Sequence, residues 1–155
     1  IEKVRASEET LRSVIDQMPI GVAIARMPSG EIFLYNQALE DMLGHTILSD
    51  DAETYNRYGG IDDEGRSLPV ESYPLARAVL FGETVVDDEM QYRRGDGRII
   101  HLLGHAAPVI GMSGKAEIAV VTLQDITDRK KAERHQRLLI DELSHRAKNL
   151  LAIIQ

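Results

Sequence analysis

The sequence predicts an α+β fold: a five-stranded antiparallel sheet with helices on one face, flanked by an N-terminal amphipathic helix and a long C-terminal helix. Three observations carry that expectation. Two short apolar runs, 21–25 and 32–35, flank the turn-forming string Pro28-Ser29-Gly30-Glu31 and read as a hairpin. Three longer runs, 84–93, 98–110 and 116–123, are separated only by Arg94-Gly95-Asp96-Gly97 and by residues 111–114, the pattern of an antiparallel meander. Segments with helical spacing lie at the two ends and between the second and third strands. Meander strands need no crossovers, so the internal helices must share one sheet face.

Taken in order, Ser7 is the expected cap of a helix over 7–18, with Glu8 and Glu9 in its first turn, Leu11, Val14, Ile15 and Met18 on one face, and Pro19 after its end. After the hairpin, Asn36 should cap a short helix in which Ala38, Leu39, Met42 and Leu43 recur at helical spacing up to Gly44. Residues 45–69 are polar and broken by Gly59-Gly60, Gly65 and Pro69, leaving room only for short helical turns near 52–58. Pro74 suits a first helical turn, Leu75, Ala78 and Val79 form a stripe behind it, and Gly82 closes that helix. Beyond the fifth strand Thr127 is a good cap and Asp128 suits the positive end of a helix dipole. The expected organisation is an N-terminal helix over 1–19, a sensor-sized domain over 20–127 and a helical segment over 128–155.

Composition narrows the function. With 43% hydrophobic and 28% charged residues the chain is ordinary globular protein, and its 155 residues suit one domain with an appendage. No apolar run approaches the roughly 18 residues of a spanning helix, and residue 1 opens a charged segment, so a cytoplasmic protein without a membrane span is expected. The absence of cysteine excludes disulfides, thiolate metal sites and cysteine nucleophiles. A net charge of −7 and 5% aromatic residues argue against nucleic acid as a partner. Residues 128–149 nevertheless carry seven Lys/Arg against four Asp/Glu, a local +3 that leaves −10 elsewhere. The chain lacks an initiator Met and stops at Gln155 within an apolar helical pattern, so it reads as a piece of something longer.

Several strings in the element order resemble a PAS domain across about residues 8 to 127. They are Ile20-Gly21-Val22-Ala23, Tyr35-Asn36 leading a helix that ends Leu43-Gly44, Pro74-Leu75-Ala76-Arg77-Ala78, Arg94-Gly95-Asp96-Gly97, and Asp125-Ile126-Thr127. The last resembles the ending by which such sensors hand a signal to an output helix, which makes Asp125 and Thr127 the expected hand-off residues.

From Thr127 a seven-residue period appears, with Ala132, Leu139, Arg146 and Ile153 in one seam position and Gln136, Leu143 and Leu150 in the other. Ile140, Ala147, Leu151 and Ile154 widen the apolar face toward what a four-helix bundle buries, so a homodimer through the terminal helices is expected. His145 falls outside the seam. The string Glu142-Leu143-Ser144-His145-Arg146-Ala147-Lys148-Asn149 strongly resembles the phospho-acceptor box of the HWE and related bacterial histidine kinases. The resemblance implies that His145 takes the γ-phosphoryl of ATP and passes it to the receiver domain of a response regulator. A neutral imidazole, with an unperturbed pKa of about 6.5, is a competent nucleophile near neutrality. Lys148 and Arg146 are candidates to stabilise phosphoryl charge, Asn149 to orient the phosphoryl group or a water, and Glu142 to orient the ring. Many histidine kinases follow the acceptor with an acid, whereas Arg146 stands there in this chain. No phosphate-binding loop is present, so ATP and Mg are expected on an ATP-binding domain outside this sequence, and the segment alone should be inactive.

For the sensor, the flavin photoreceptors of this superfamily use an Asn-Cys-Arg string that is missing here, which excludes a cysteinyl-flavin adduct. Haem-binding relatives use a histidine on the helix before the meander, and residues 70–82 contain none, so no haem is expected. His45, His101 and His105 do not make a metal-ligand pattern, and no metal is expected. Phe33, Tyr35, Met42, Leu75, Val79 and Leu103 are candidates to bound a small apolar ligand and otherwise fill the core. The alternative to a kinase input is a PAS-type interaction and dimerisation module without kinase output.

Overall fold

A computed structural model describes residues 2–154. They fall into two units that divide between Asp125 and Ile126. The expectations that begin on Ile1 and end on Gln155 lie outside the described residues, as do the side chains of Ile153 and Ile154.

The first unit holds helix α1 (Glu2–Gln17), strands β1 (Gly21–Arg26) and β2 (Ile32–Tyr35), helix α2 (Gln37–Leu43), a 3-10 turn (Ala52–Arg57), strand β3 (Gly60–Ile61), a second 3-10 turn (Val70–Ser72), helix α3 (Pro74–Phe81), and strands β4 (Val85–Arg93), β5 (Ile99–Ile110) and β6 (Ala116–Asp125). The sheet is antiparallel throughout, in the order β2-β1-β6-β5-β4-β3. It has six strands where the sequence predicts five. The extra strand is two residues long and pairs Gly60 with Tyr92 and Ile61 with Gln91. Two residues are too few to show a period of two, and the glycines that read as breakers are what allows the approach, since a Cβ on Gly59 would overlap the carbonyl oxygen of Arg93.

Along β5 burial alternates. Ile100, Leu102, Gly104 and Ala106 are buried, while His101, Leu103 and His105 stand on the other face. The register places Ala23, Val121, Ala106 and Val85 in one row across four strands, all buried. Against this face lie α2, α3 and the 3-10 turns, with Leu39, Leu43, Ala76, Ala78 and Val79 in the core. Helix α1 packs on the opposite face, where Ile15 meets Val22, Ile24 and Leu34. It starts at Glu2 rather than Ser7, because residues 2–6 are mostly good helix formers and the serine is carried inside the helix.

The local chemistry at helix ends follows the sequence. Asn36 caps α2 by accepting from the Leu39 N–H, Gly44 and Gly82 end their helices in the left-handed region at φ 73° and 66°, and Pro74 opens α3. The string Arg94-Gly95-Asp96-Gly97 does more than turn. Arg94 Nη1 donates to the carbonyls of Asp41 and Met42 at 2.9 and 2.8 Å, and the Gly95 N–H donates to Leu43 O at 2.9 Å, so the β4–β5 turn satisfies the open carbonyls at the end of α2. Asp96 accepts from the Arg98 N–H, which with Arg98 and Arg94 beside it holds its carboxyl below the usual carboxylate range.

The second unit is helix α4 (Thr127–Ile154), 28 residues without a break. Thr127 is its first residue rather than a residue outside it, and Asp128 stands in its first turn. Among the described residues no helix is long and apolar enough to cross a membrane.

Candidate functional site

Between the sheet and its helices the first unit holds a partly open cavity of about 60 Å3. Four of the five tyrosines wall it, Tyr55, Tyr58, Tyr73 and Tyr92, with aliphatic side chains such as Leu39 and Leu75 closing the rest. Each hydroxyl is engaged away from the void. Tyr55 donates to Gly30 O at 2.6 Å, Tyr58 shares a hydrogen bond with Ser49 Oγ, and Tyr73 donates to Tyr58 O while accepting from the Gly60 N–H. Tyr92 meets His45 Nε2 at 2.5 Å. His45 Nδ1 lies 2.8 Å from the Thr46 carbonyl, which can only accept, so Nδ1 carries a hydrogen and Nε2 is left to the Tyr92 hydroxyl. The same imidazole stacks on Tyr58 and Tyr92, with centroids 5.6 and 5.9 Å away. Burial pushes all four phenols above their ordinary pKa, so they are neutral walls.

Of the pocket residues predicted from sequence, Leu75 lines this cavity. Tyr35 and Met42 pack half-buried against the same core, and Val79 is buried in it. Phe33 instead joins the cluster on the α1 side, with the Arg26 guanidinium 4.2 Å above its ring, and Leu103 faces outward on β5. For Phe33 the physical reason is a bulge: the register runs from Ile24↔Leu34 to Ala25↔Ile32, so Phe33 is skipped and leaves the face that Tyr35 keeps. For Leu103 it is parity, since the adjacent apolar residues Leu102-Leu103 do not reveal which of them points to the core. The tyrosines were missed because they sit in loops and a strand end with no shared periodicity.

One buried polar side chain organises the entry to this unit. Asn36 is fully buried. Its Oδ1 accepts from the N–H groups of Val22 and Leu39 at 3.0 and 3.1 Å, and its Nδ2 donates to the carbonyls of Ile15 and Ile20 at 2.7 and 2.8 Å. One amide therefore ties together α1, the start of β1 and the cap of α2. The sequence shows only the cap.

On α4, Leu139, Leu143 and Leu150 are all exposed within this chain. At about 100° per residue, His145 lies roughly 160° around the helix from Leu143, so a partner covering the leucines leaves the imidazole open. His145, Lys148 and Asn149 are exposed, and among the described residues no hydrogen bond reaches His145. Glu142 does not approach His145 in this structure. Its Oε1 accepts from Arg146 Nη2 at 2.9 Å, an exposed i,i+4 pair worth about 0.3–0.5 kcal/mol and therefore easily exchanged. Asp125 ends β6 and Thr127 begins α4. On the outer sheet face, His105 Nδ1 accepts from the Asp87 N–H at 3.3 Å and its Nε2 lies 3.5 Å from the Asp87 carboxylate. Among the described residues no group of three or more His, Cys, Asp or Glu could hold a metal ion.

Residues 9–74 match the family described as PAS domain. No curated protein matches the chain significantly. Among solved structures, the chain is similar to an RNA-binding light-oxygen-voltage receptor, with a TM-score of 0.63 at 18% identity over 89% of this chain and 38% of the receptor. It is also similar to a sensory box histidine kinase/response regulator structure from Burkholderia thailandensis, with a TM-score of 0.57 at 17% identity over 87% of this chain and 98% of the other. A third likeness is to the LOV domain of a blue-light activated histidine kinase from Erythrobacter litoralis, with a TM-score of 0.53 at 20% identity over 72% and 99% of the two chains. At these identities the likeness is one of fold. With the family match over residues 9–74, it makes the fold PAS-like.

Proposed function

We propose that this chain is the sensory input region of a two-component sensor histidine kinase, in which a stimulus at the PAS domain is coupled through Asp125 and Thr127 to phosphorylation of His145 and onward transfer to a response regulator receiver. The observation that carries the reading is the Glu142–Asn149 string on an unbroken helix, with His145 exposed on the side away from Leu139, Leu143 and Leu150. The names of two structurally similar proteins support it in kind, since both are histidine kinases. The neutral imidazole attacks the γ-phosphorus of ATP as the bond to the bridging oxygen breaks and ADP leaves; Lys148 and Arg146 offset the oxygen charge, and Asn149, one turn beyond His145, orients the group in transit. Glu142 orients the ring only after leaving Arg146. ATP and Mg come with an ATP-binding domain, and the segment works in the cytoplasm as a homodimer.

The test of transfer is to supply such a domain with labelled ATP and look for acid-labile, base-stable label on this chain; its absence while the added domain autophosphorylates its own acceptor overturns the reading. Pairing has its own check. Sedimentation at tens of micromolar is expected to show a dimer, and Leu143→Glu, which puts a charge in the seam, a monomer with an unchanged PAS fold. A wild-type monomer contradicts the pairing. The purified protein is also expected to be colourless, and a stoichiometric flavin or haem spectrum would overturn that assignment.

A further inference from the structure

Strand β4 begins with two adjacent valines of which one reaches the core: Val85 is buried and Val86 is exposed. We infer that the start of β4 is a two-register switch, in which neutral His105 holds the bulged register that buries Val85 and protonated His105 favours a straight register that buries Val86 in its place. The switch is independent of what α4 does.

The pairing shows why two registers are available. β4 sets Val85 against Ala106 and Asp88 against Gly104, so Val86 and Asp87 together stand opposite His105 alone. Without the extra residue Asp87 would face His105 and Val86 would face Ala106, the buried place that Val85 now fills. Both registers therefore offer the core the same side chain, and the one-residue shift falls on 82–84, an exposed connection opened by Gly82.

What holds the bulge lies outside the core. Asp87 is the only non-glycine among the described residues with a positive φ, 52°, a region that residues with a Cβ rarely enter. Its N–H donates to His105 Nδ1 at 3.3 Å, while His105 Nε2 lies 3.5 Å from Asp87 Oδ1. A neutral ring with its hydrogen on Nε2 serves both contacts. An imidazolium carries a hydrogen on Nδ1 as well and cannot accept from the Asp87 N–H. It keeps its attraction for the carboxylate, which the straight register satisfies as a cross-strand pair. The remaining neighbours do not reverse this preference. Glu89 on β4 adds negative charge on the same face, and β6 presents the uncharged Thr122 and Gln124. Asp88 points, like Met90 two residues on, to the α3 side, where Arg77 and Glu83 pair.

Nuclear magnetic resonance on the full chain from about pH 8 to about pH 5, the span in which imidazole ordinarily titrates, reads the ring nitrogens of His105 and the cross-strand contacts of Val85 and Val86 with Ala106. At the upper end Nδ1 is expected to be free of hydrogen and Val85 to face Ala106. As His105 takes up its proton, the ratio of straight to bulged register is expected to rise at least tenfold. His105→Gln, which takes up no proton, is expected to hold one ratio throughout. Val86→Asp, which would bury a carboxylate in the straight register, is expected to stay bulged to the lower end; residue 86 is exposed in the bulged register, so that fold is kept. A protonated His105 with Val85 still facing Ala106 overturns the inference, as does a register that shifts equally in His105→Gln or a neutral ring with its hydrogen on Nδ1.

Discussion

His145→Ala is expected to abolish acid-labile labelling from ATP when an ATP-binding domain is supplied, a loss of at least two orders of magnitude, with the thermal melt unchanged. The side chain forms the bond to phosphorus, so nothing else on the helix replaces it, and its exposure means that truncation leaves no cavity. Asn149→Ala should lower labelling by only about tenfold, because a group that orients contributes less than the atom that reacts. A folded His145→Ala protein that labels normally refutes the assignment. Should the melt collapse in that variant, His145→Gln, which keeps bulk and polarity without a nucleophilic ring, takes its place.

The second large effect belongs to Asn36. Removing its amide strands the Val22 N–H and the Ile20 carbonyl, and takes one of two partners from the Leu39 N–H and the Ile15 carbonyl, which keep the residue 36 carbonyl and the Met18 N–H. At about 1–3 kcal/mol for an unsatisfied buried group, with the lost helix cap worth about 1 kcal/mol, Asn36→Ala should cost about 3–5 kcal/mol. Against a total stability of about 5–15 kcal/mol that is a large share. A melt lowered by roughly 10–20 °C is expected, with protection lost first at the end of α1. Asn36→Asp keeps the acceptor but points a carboxylate at two carbonyls. Burial and the two facing carbonyls outweigh the N–H groups of Val22 and Leu39 and raise the pKa of that carboxyl in the folded state, so the variant's stability is greatest at low pH and falls as pH rises through the raised value. A melt within about 2 °C of wild type for Asn36→Ala would contradict the role given to this amide.

The contrast between Asn36 and His145 shows what was legible in the sequence. The ends of α2 and α3 are legible because cap chemistry is local: Pro74, Gly44 and Gly82 each act within a few residues of themselves. What escaped was set by contacts across the chain. The bonds from Asn36 to Ile15 and Ile20 span 21 and 16 residues, and the tyrosine wall draws on positions from 55 to 92. Strand β3 exists only because β4 offers it an edge. Phe33 and Leu103 lie on the other side of the sheet because a bulge in the β1–β2 pairing skips Phe33 and because strand parity, which an apolar run does not show, turns Leu103 outward. On α4 the reverse holds. A single helix is nearly all local geometry, so the span of α4 is legible in the sequence, and its Glu142–Arg146 ion pair joins residues one turn apart.

The account turns on one atom on α4, and α4 carries a second exposed histidine ten residues earlier, His135. The most direct measurement is to label the chain through a supplied ATP-binding domain, digest it under basic conditions that preserve phosphohistidine, and locate the phosphoryl group by mass spectrometry. The expected result is phosphate on His145 with His135 unmodified; phosphate on His135, or on neither histidine in a chain that has taken up label, would contradict the account.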